Sequence, residues 1–239
     1  MNRALSKLGI LSRSEATDAI AAGRVEVNGA VIRDPLARVD PDAVRIAIDR
    51  KPQRRAAWRT ILFHKPRGTV TTRRDPQSRS TVFEVLGDEA RGLISVGRLD
   101  LATSGLLLLT SDTRLANWIA DPANRVARVY VVAVRGRVDE EGVVRLTNGV
   151  ESAGEVLKAE RVTIRKASNR ESHLVVELRE GRNREVRRLF ESIGREVTRL
   201  KRVKLGGLEL GSLEPGQWRD LSPSEVAAAF RGAPVRVRR

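Results

Sequence analysis

Residues 97–112 read GRLDLATSGLLLLTSD, and the way this stretch divides sets the fold around it. Leu106 to Leu109 form an unbroken apolar run that is short for a helix and suits a strand buried on both faces. Asp100, Thr103, Ser104 and Gly105 precede it with the turn chemistry of a loop feeding a central strand. One carboxylate is thereby predicted at the mouth of an apolar strand. An acid held against low dielectric either needs a cation beside it or shifts its pKa upward. From spacing alone Asp100 reads equally well as a loop cap and as a reacting group.

Outward from this stretch, composition narrows the classes. The chain has 239 residues with 41% hydrophobic content, enough for a small and a medium domain. Forty-five Lys and Arg against 30 Asp and Glu leave a net charge of +15, mostly carried by Arg, which favours a polyanionic partner. No apolar stretch approaches the length of a membrane span and no basic amphipathic helix stands out, so no membrane partner is expected. Residues 1–12 lack the apolar core of an export signal, which places the protein in the cytoplasm as an expectation. With no Cys and only His64 and His173, no metal site is expected.

Upstream, residues 1–48 read as a small unit: a short helix from Arg3, a second helix opened by a Ser12–Glu15 capping box and closed by Gly23, then short strands around the Asn28-Gly29 turn and at Val44–Ile48. Arg13 and Arg24 bracket the second helix. Residues 1–58 carry eleven Lys and Arg against seven Asp and Glu, so most of the positive field lies further on. Residues 49–58, polar and with Pro52, are predicted as linker. Residues 60–64 (TILFH) form a strand running into Lys65-Pro66-Arg67-Gly68, a turn expected to present two cations, Lys65 and Arg67.

Downstream, Asp112 is predicted to cap a helix over 113–120 that buries Leu115, Trp118 and Ile119. Residues 126–134 (VARVYVVAV) form an interior strand carrying Tyr130, the single Tyr of the protein. A Tyr there is ordinarily core, with its hydroxyl satisfied locally. After a helix at 140–146 and strands at 156–164 and 173–178 comes EGRNREVRRLF, residues 180–190, where Gly181 breaks the strand and a helix starts near Asn183. Nine basic residues against three acidic ones from Arg182 to Lys204 are too dense for a simple solvated face. The apolar stripe Val186, Leu189, Phe190, Ile193 sets Arg187 beside the buried side and Arg184 and Arg188 towards solvent. A strand at 197–205, a helix at 222–230 capped by Ser222 and a basic tail at 233–239, expected to be disordered, complete the chain. Without regular β-α alternation, an α+β fold with a mostly antiparallel mixed sheet flanked by helices is expected.

GRLD-x-x-T-S-G-LLLLT-x-D, together with Lys65-Pro66-x-Gly68 and the 180–194 stretch, resembles the ribosomal RNA pseudouridine synthases of the RsuA and RluB type. Residues 1–48 resemble the S-four-type RNA-binding domain shared with a ribosomal protein, and the resemblance assigns 59–232 to the catalytic domain. It implies isomerisation of a uridine in ribosomal RNA, free or within a pre-ribosomal particle, without cofactor and by a monomer, with a lean towards large-subunit RNA. It also implies roles: Asp100 as catalytic carboxylate, Arg187 paired with it, Tyr130 stacked on the target base and Arg98 filling the vacated stack. RNA contacts are expected from Arg182, Asn183, Arg184, Arg188, Lys65, Arg67, Arg13 and Arg24. A base drawn from its stack must be held and read in a pocket, which suits such a set. The competing reading from charge alone is a non-catalytic ribosome-assembly factor. A metal-dependent nuclease is a weaker third, since it would want clustered acids where the central loop has one.

Overall fold

The structure is a computed structural model describing residues 1–8, 10–11, 13–40, 43–53 and 57–235. Ser12 of the expected capping box, Arg54 and Arg55 of the expected linker and residues 236–239 of the expected tail lie outside the described residues.

In the N-terminal unit, helices α1 (Asn2–Lys7) and α2 (Arg13–Ala21) precede strands β1 (Val25–Val27), β2 (Ala30–Val31), β3 (Ile46–Ile48) and β4 (Lys51–Gln53). The strands form one antiparallel sheet in the order β2-β1-β3-β4. Leu5, Ile20 and Val25 are fully buried in its core. Strand β4 corrects the linker expectation, because Asp49 and Arg50 adopt positive φ and turn Lys51–Gln53 back along β3.

The larger unit runs β5 (Thr60–Lys65), α3 (Val82–Leu86), β6 (Ile94–Val96), β7 (Ser104–Thr110), α4 (Thr113–Ala120), β8 (Arg128–Arg135), α5 (Glu140–Asn148), β9 (Val150–Ser152), β10 (Glu155–Leu157), β11 (Arg161–Ala167), β12 (Glu171–Leu178), α6 (Glu185–Glu191), β13 (Val197–Leu205), β14 (Leu208–Glu209), β15 (Trp218–Asp220) and α7 (Pro223–Ala229). Its main sheet has the order β11-β12-β8-β13-β7-β5-β15, with β14 on β13 and β6 on β7. Among the described strands of this sheet, β13–β7 is the one parallel pair. The expected mostly antiparallel mixed sheet is what forms.

The Leu run is the keel. Leu106, Leu107, Leu108 and Leu109 are all fully buried, and alternation sends Leu107 and Leu109 into one core and Leu106 and Leu108 into another. Burying each such side chain stabilises the fold by about 2 kcal/mol. The first core holds Val186, Leu189 and Phe190 of α6 and the inner face of β8 and β12, and the second holds α4 and α7. Local chemistry starts the helices as predicted: Asp112 accepts from Arg114 and Leu115 N–H, and Ser222 forms a capping box with Glu225. Trp118 is only partly buried, with Ala116 taking its expected place. Ala233 and Val235, expected in a disordered tail, pack on the second core.

Gly105 makes the junction at the head of β7 possible. Its φ is +110°, and a Cβ there would lie 2.2 Å from the Arg202 carbonyl oxygen of β13. Only glycine allows the parallel pairing of Gly105 with Arg202 at that spacing.

Candidate active site

Asp100 sits in the loop between β6 and β7, and the loop is held carbonyl by carbonyl. Thr71 Oγ1 donates to Leu99 O at 2.9 Å, Thr103 N to Asp100 O at 3.0 Å and Gly68 N to Leu101 O at 2.8 Å. Arg187 Nη2 donates to Ala102 O at 3.3 Å and Lys65 Nζ to Thr103 O at 2.8 Å. All five backbone acceptors from 99 to 103 are satisfied, by donors from the loop itself, the 65–71 turn and α6. The Asp100 carboxylate takes no part in this pinning, and the Thr103 hydroxyl is buried without a hydrogen-bond partner.

That carboxylate borders a pocket of about 260 Å³. Arg98, Asp100, Tyr130, Arg182, Asn183 and Arg184 all line it, so six of the residues singled out in the sequence converge on one cavity. Its size suits one extruded nucleoside rather than a helix, lying below the roughly 300–1,000 Å³ usual for larger ligands. Leu178, Val186, Leu200 and Leu205 supply its apolar wall.

Two expectations about the acid are corrected. Asp100 is half-buried rather than buried, its side chain being 36% exposed, because the loop carries it onto the pocket rim while Leu99 turns into the core. Its ion-pair contact is Arg184 Nη1, 4.0 Å from Oδ2, not the expected fork of Arg187. The Arg187 guanidinium instead bridges two backbones, donating to Val197 O at 3.0 Å and to Ala102 O. It reaches Asp100 only through space: burial depresses its pKa, Arg184 and Arg67 add to that, and the Asp100 charge opposes it.

Lys65 is a further correction. Expected to face RNA, it is fully buried as the last residue of β5, with Nζ donating to Pro66 O at 3.0 Å and to Thr103 O. Burial lowers its pKa to about 8, against the pull of Asp100. Arg67, two residues on, is exposed and close enough to act electrostatically on Arg187.

The remaining sequence-selected cations separate. Arg188, expected in solvent, is 19% exposed and tied to the β9–β10 hairpin through Ser152 and Glu155. Arg182 is exposed, but its guanidinium bonds Glu180 and Val156 O. Arg24 is gripped by Asp49, with Nε donating to Oδ1 at 2.8 Å, while Arg13 stands exposed at the start of α2. Neither Arg13 nor Arg24 lines the pocket.

Sequence reasoning passed over the charged floor. Arg128, Glu185 and Arg202 line the pocket yet are at most 7% exposed. Arg128 donates to Val126 O and Ile119 O, and Arg202 Nε donates to Leu106 O, leaving its Nη2 buried without a hydrogen-bond partner. Burial raises the Glu185 pKa, and its carboxylate accepts the Arg182 N–H. The signal was available for Arg202, since strand alternation from Leu200 puts it on the Tyr130 face, and the two are cross-strand partners.

Comparison with known proteins meets this geometry. Residues 59–192 match the family described as RNA pseudouridylate synthase, and residues 2–44 match the S4 domain. An RNA pseudouridine synthase from Aquifex aeolicus is 36% identical over 97% of this chain and 93% of its own length. A ribosomal large subunit pseudouridine synthase B from Vibrio cholerae is 41% identical over 95% of this chain and 72% of its own. A crystal structure of a pseudouridylate synthase superposes with a TM-score of 0.66 at 27% identity, covering 94% of this chain and 96% of that one.

Proposed function

The chain belongs to the RNA pseudouridylate synthase family, and from that premise we propose that it isomerises uridine to pseudouridine in large-subunit ribosomal RNA, with the reaction carried by Asp100. The observation that supports this residue is its place as the carboxylate of a pinned loop, on the rim of a pocket shared with Tyr130 and its ion-pair contact Arg184. Relatives named as large-subunit enzymes, at about 40% identity over most of the chain, favour that RNA and favour catalysis over a role limited to binding.

In the reaction the bond from ribose C1′ to base N1 breaks, the base turns, a bond from C1′ to C5 forms, the C5 hydrogen leaves as a proton, and N1 takes up a proton in its place. Nothing is oxidised and no group is lost. Asp100 serves as nucleophile or proton acceptor against the ribose or the base. Arg184 stands beside it at 4.0 Å without clamping it, Tyr130 packs on the extruded uracil, and Arg98, exposed at the pocket mouth, takes the vacated place in the stack. Arg187 and Lys65 position the loop rather than touch the substrate. Arg67, Asn183 and Arg182 meet phosphates around the mouth, and the N-terminal unit adds affinity through Arg13. The protein works as a monomer in the cytoplasm, and among the described residues no helix is long and apolar enough to cross a membrane.

The test is tritium release from ribosomal RNA labelled at uridine C5. Wild type releases it, whereas Asp100→Asn does not, although it binds the RNA equally well. Equal release by both proteins overturns the assignment.

A further inference from the structure

Over β11, β12, β8 and β13 the sheet has one covered face and one open face. Tyr130, Val132, Leu174, Val176 and Leu200 point into the first core, beneath α5 and α6. Among the described residues no helix covers the opposite face. Register places Thr163, Val175, Val131 and Lys201 in one cross-strand row and Lys166, His173, Ala133 and Arg199 in the next. Of these eight only Ala133 is buried.

The charge on this face is arranged in two rails. The outer strand β11 contributes Arg161, Arg165 and Lys166, and β13 contributes Arg199 and Lys201. None of these five side chains makes a hydrogen bond or ion pair within the described residues. The acids of the face are already engaged: Glu177 with Arg179 at 2.7 Å, and Glu171 with His173 at 3.0 Å. Between the rails lies a low floor of Val129, Val131 and Val175. Three inter-strand spacings set the rails about 14 Å apart.

We propose that this face is a second RNA-docking surface, which holds the phosphate strands of a helical ribosomal RNA segment distinct from the one entering the Asp100 pocket. The proposal rests on ribosomal RNA being the substrate. Unpaired cations in two separated rows match two phosphate strands flanking a wide, shallow A-form minor groove, and the valine floor offers no obstacle to it. Single-stranded RNA is a poorer fit, because it is held by aromatic platforms, and Tyr130, the one aromatic ring of Phe, Tyr or Trp type in these four strands, lies on the other face.

The test uses the full chain, a labelled RNA duplex of about 16 base pairs and single-stranded oligo(U) of equal length. The triple variant R165Q/K166Q/R199Q lowers duplex affinity about tenfold or more at low salt. It also reduces the slope of log affinity against log salt by about 2, at roughly 0.7–0.9 per lost phosphate contact. Its oligo(U) affinity and its tritium release at saturating ribosomal RNA stay at wild-type levels. In wild type, duplex protects Lys166 and Lys201 from amine acylation, a readout that does not depend on the variant folding. Unchanged duplex affinity and slope, or no lysine protection, overturns the proposal. Unchanged duplex binding with lost co-sedimentation on pre-ribosomal particles overturns it in favour of a protein partner. Should wild type release no tritium, the catalytic reading fails while the duplex measurement still decides this surface.

Discussion

Replacing Lys65 by Met isolates the cost of burying a cation beneath the Asp100 loop. The ammonium is fully buried and its pKa falls from 10.5 to about 8, chiefly through burial, with Asp100 pulling the other way. Between those two values the unfolded chain binds more protons at this site than the folded one, so folding stability rises with pH across that window. Below pH 8 the penalty is fully present, and it is relieved as the folded-state lysine loses its proton. The drop corresponds to about 3 kcal/mol in all, of which about 2.5 kcal/mol is recovered between pH 7 and pH 10. Methionine keeps the length of the stem but leaves Thr103 O and Pro66 O without their donor, a loss that does not vary with pH and therefore cancels from the comparison. Denaturant unfolding of wild type and Lys65→Met at pH 7, 8, 9 and 10 reads the effect: the difference shifts in favour of wild type by about 2.5 kcal/mol. In an Asp100→Asn background the opposing field is gone, and the rise begins at lower pH. A difference that stays flat from pH 7 to 10 refutes the reasoning, since Lys65 would then titrate as an ordinary exposed lysine.

Three other perturbations have expected outcomes. Gly105→Ala places a Cβ 2.2 Å from Arg202 O at a φ of +110°, so it destabilises by at least about 2 kcal/mol and lowers the melting temperature; a wild-type melt would count against the close β7–β13 junction. Arg188→Ala frees the β9–β10 hairpin and costs about 2 kcal/mol in unfolding free energy, with no change in the salt dependence of RNA binding; a reduced salt slope would return Arg188 to the RNA-contacting set. Glu185→Gln keeps an oxygen for the Arg182 N–H, and because burial raises the Glu185 pKa, wild type loses stability relative to the variant as pH climbs from the ordinary carboxylate range through the raised value; unfolding curves at pH 4.5 and pH 8 that show the opposite trend would reject this.

What could be read from the chain beforehand was what local chemistry decides. The Leu run had to be a doubly buried strand, Asp112 and Ser222 had to open helices, and a β-branched interior strand put Tyr130 in the core. Convergence of Arg98, Asp100, Tyr130 and Arg184 followed from the resemblance. What escaped depended on partners far along the chain. Lys65 reads as a surface turn until β7 is laid beside β5 and Thr103 O comes within its reach. Arg188 reads as solvent-facing until the hairpin carrying Ser152 and Glu155 folds over it. Strand β4 was hidden because polar Lys51, Pro52 and Gln53 carry no apolar signal, and pairing with β3 alone makes them a strand.

The same long-range contacts explain why the acid is not gripped by Arg187, the cation that the resemblance pairs with it. A carboxylate locked in a bidentate fork with arginine is well oriented, but both oxygens are occupied and its basicity is lowered. Here Arg187 and Lys65 orient the acid through its peptide backbone, one holding Ala102 O and the other Thr103 O, while Thr71 and Gly68 hold Leu99 O and Leu101 O. Arg187 is anchored in turn on Val197 O of β13 and Lys65 is fixed as the buried end of β5, so a shift of the loop breaks bonds to two other segments. Orientation thus comes through the peptide backbone rather than through a fork on the carboxylate. The side chain itself makes its ion-pair contact with Arg184 at 4.0 Å, so under the proposed function the geometry of the acid is set by the fold before RNA arrives rather than assembled by it.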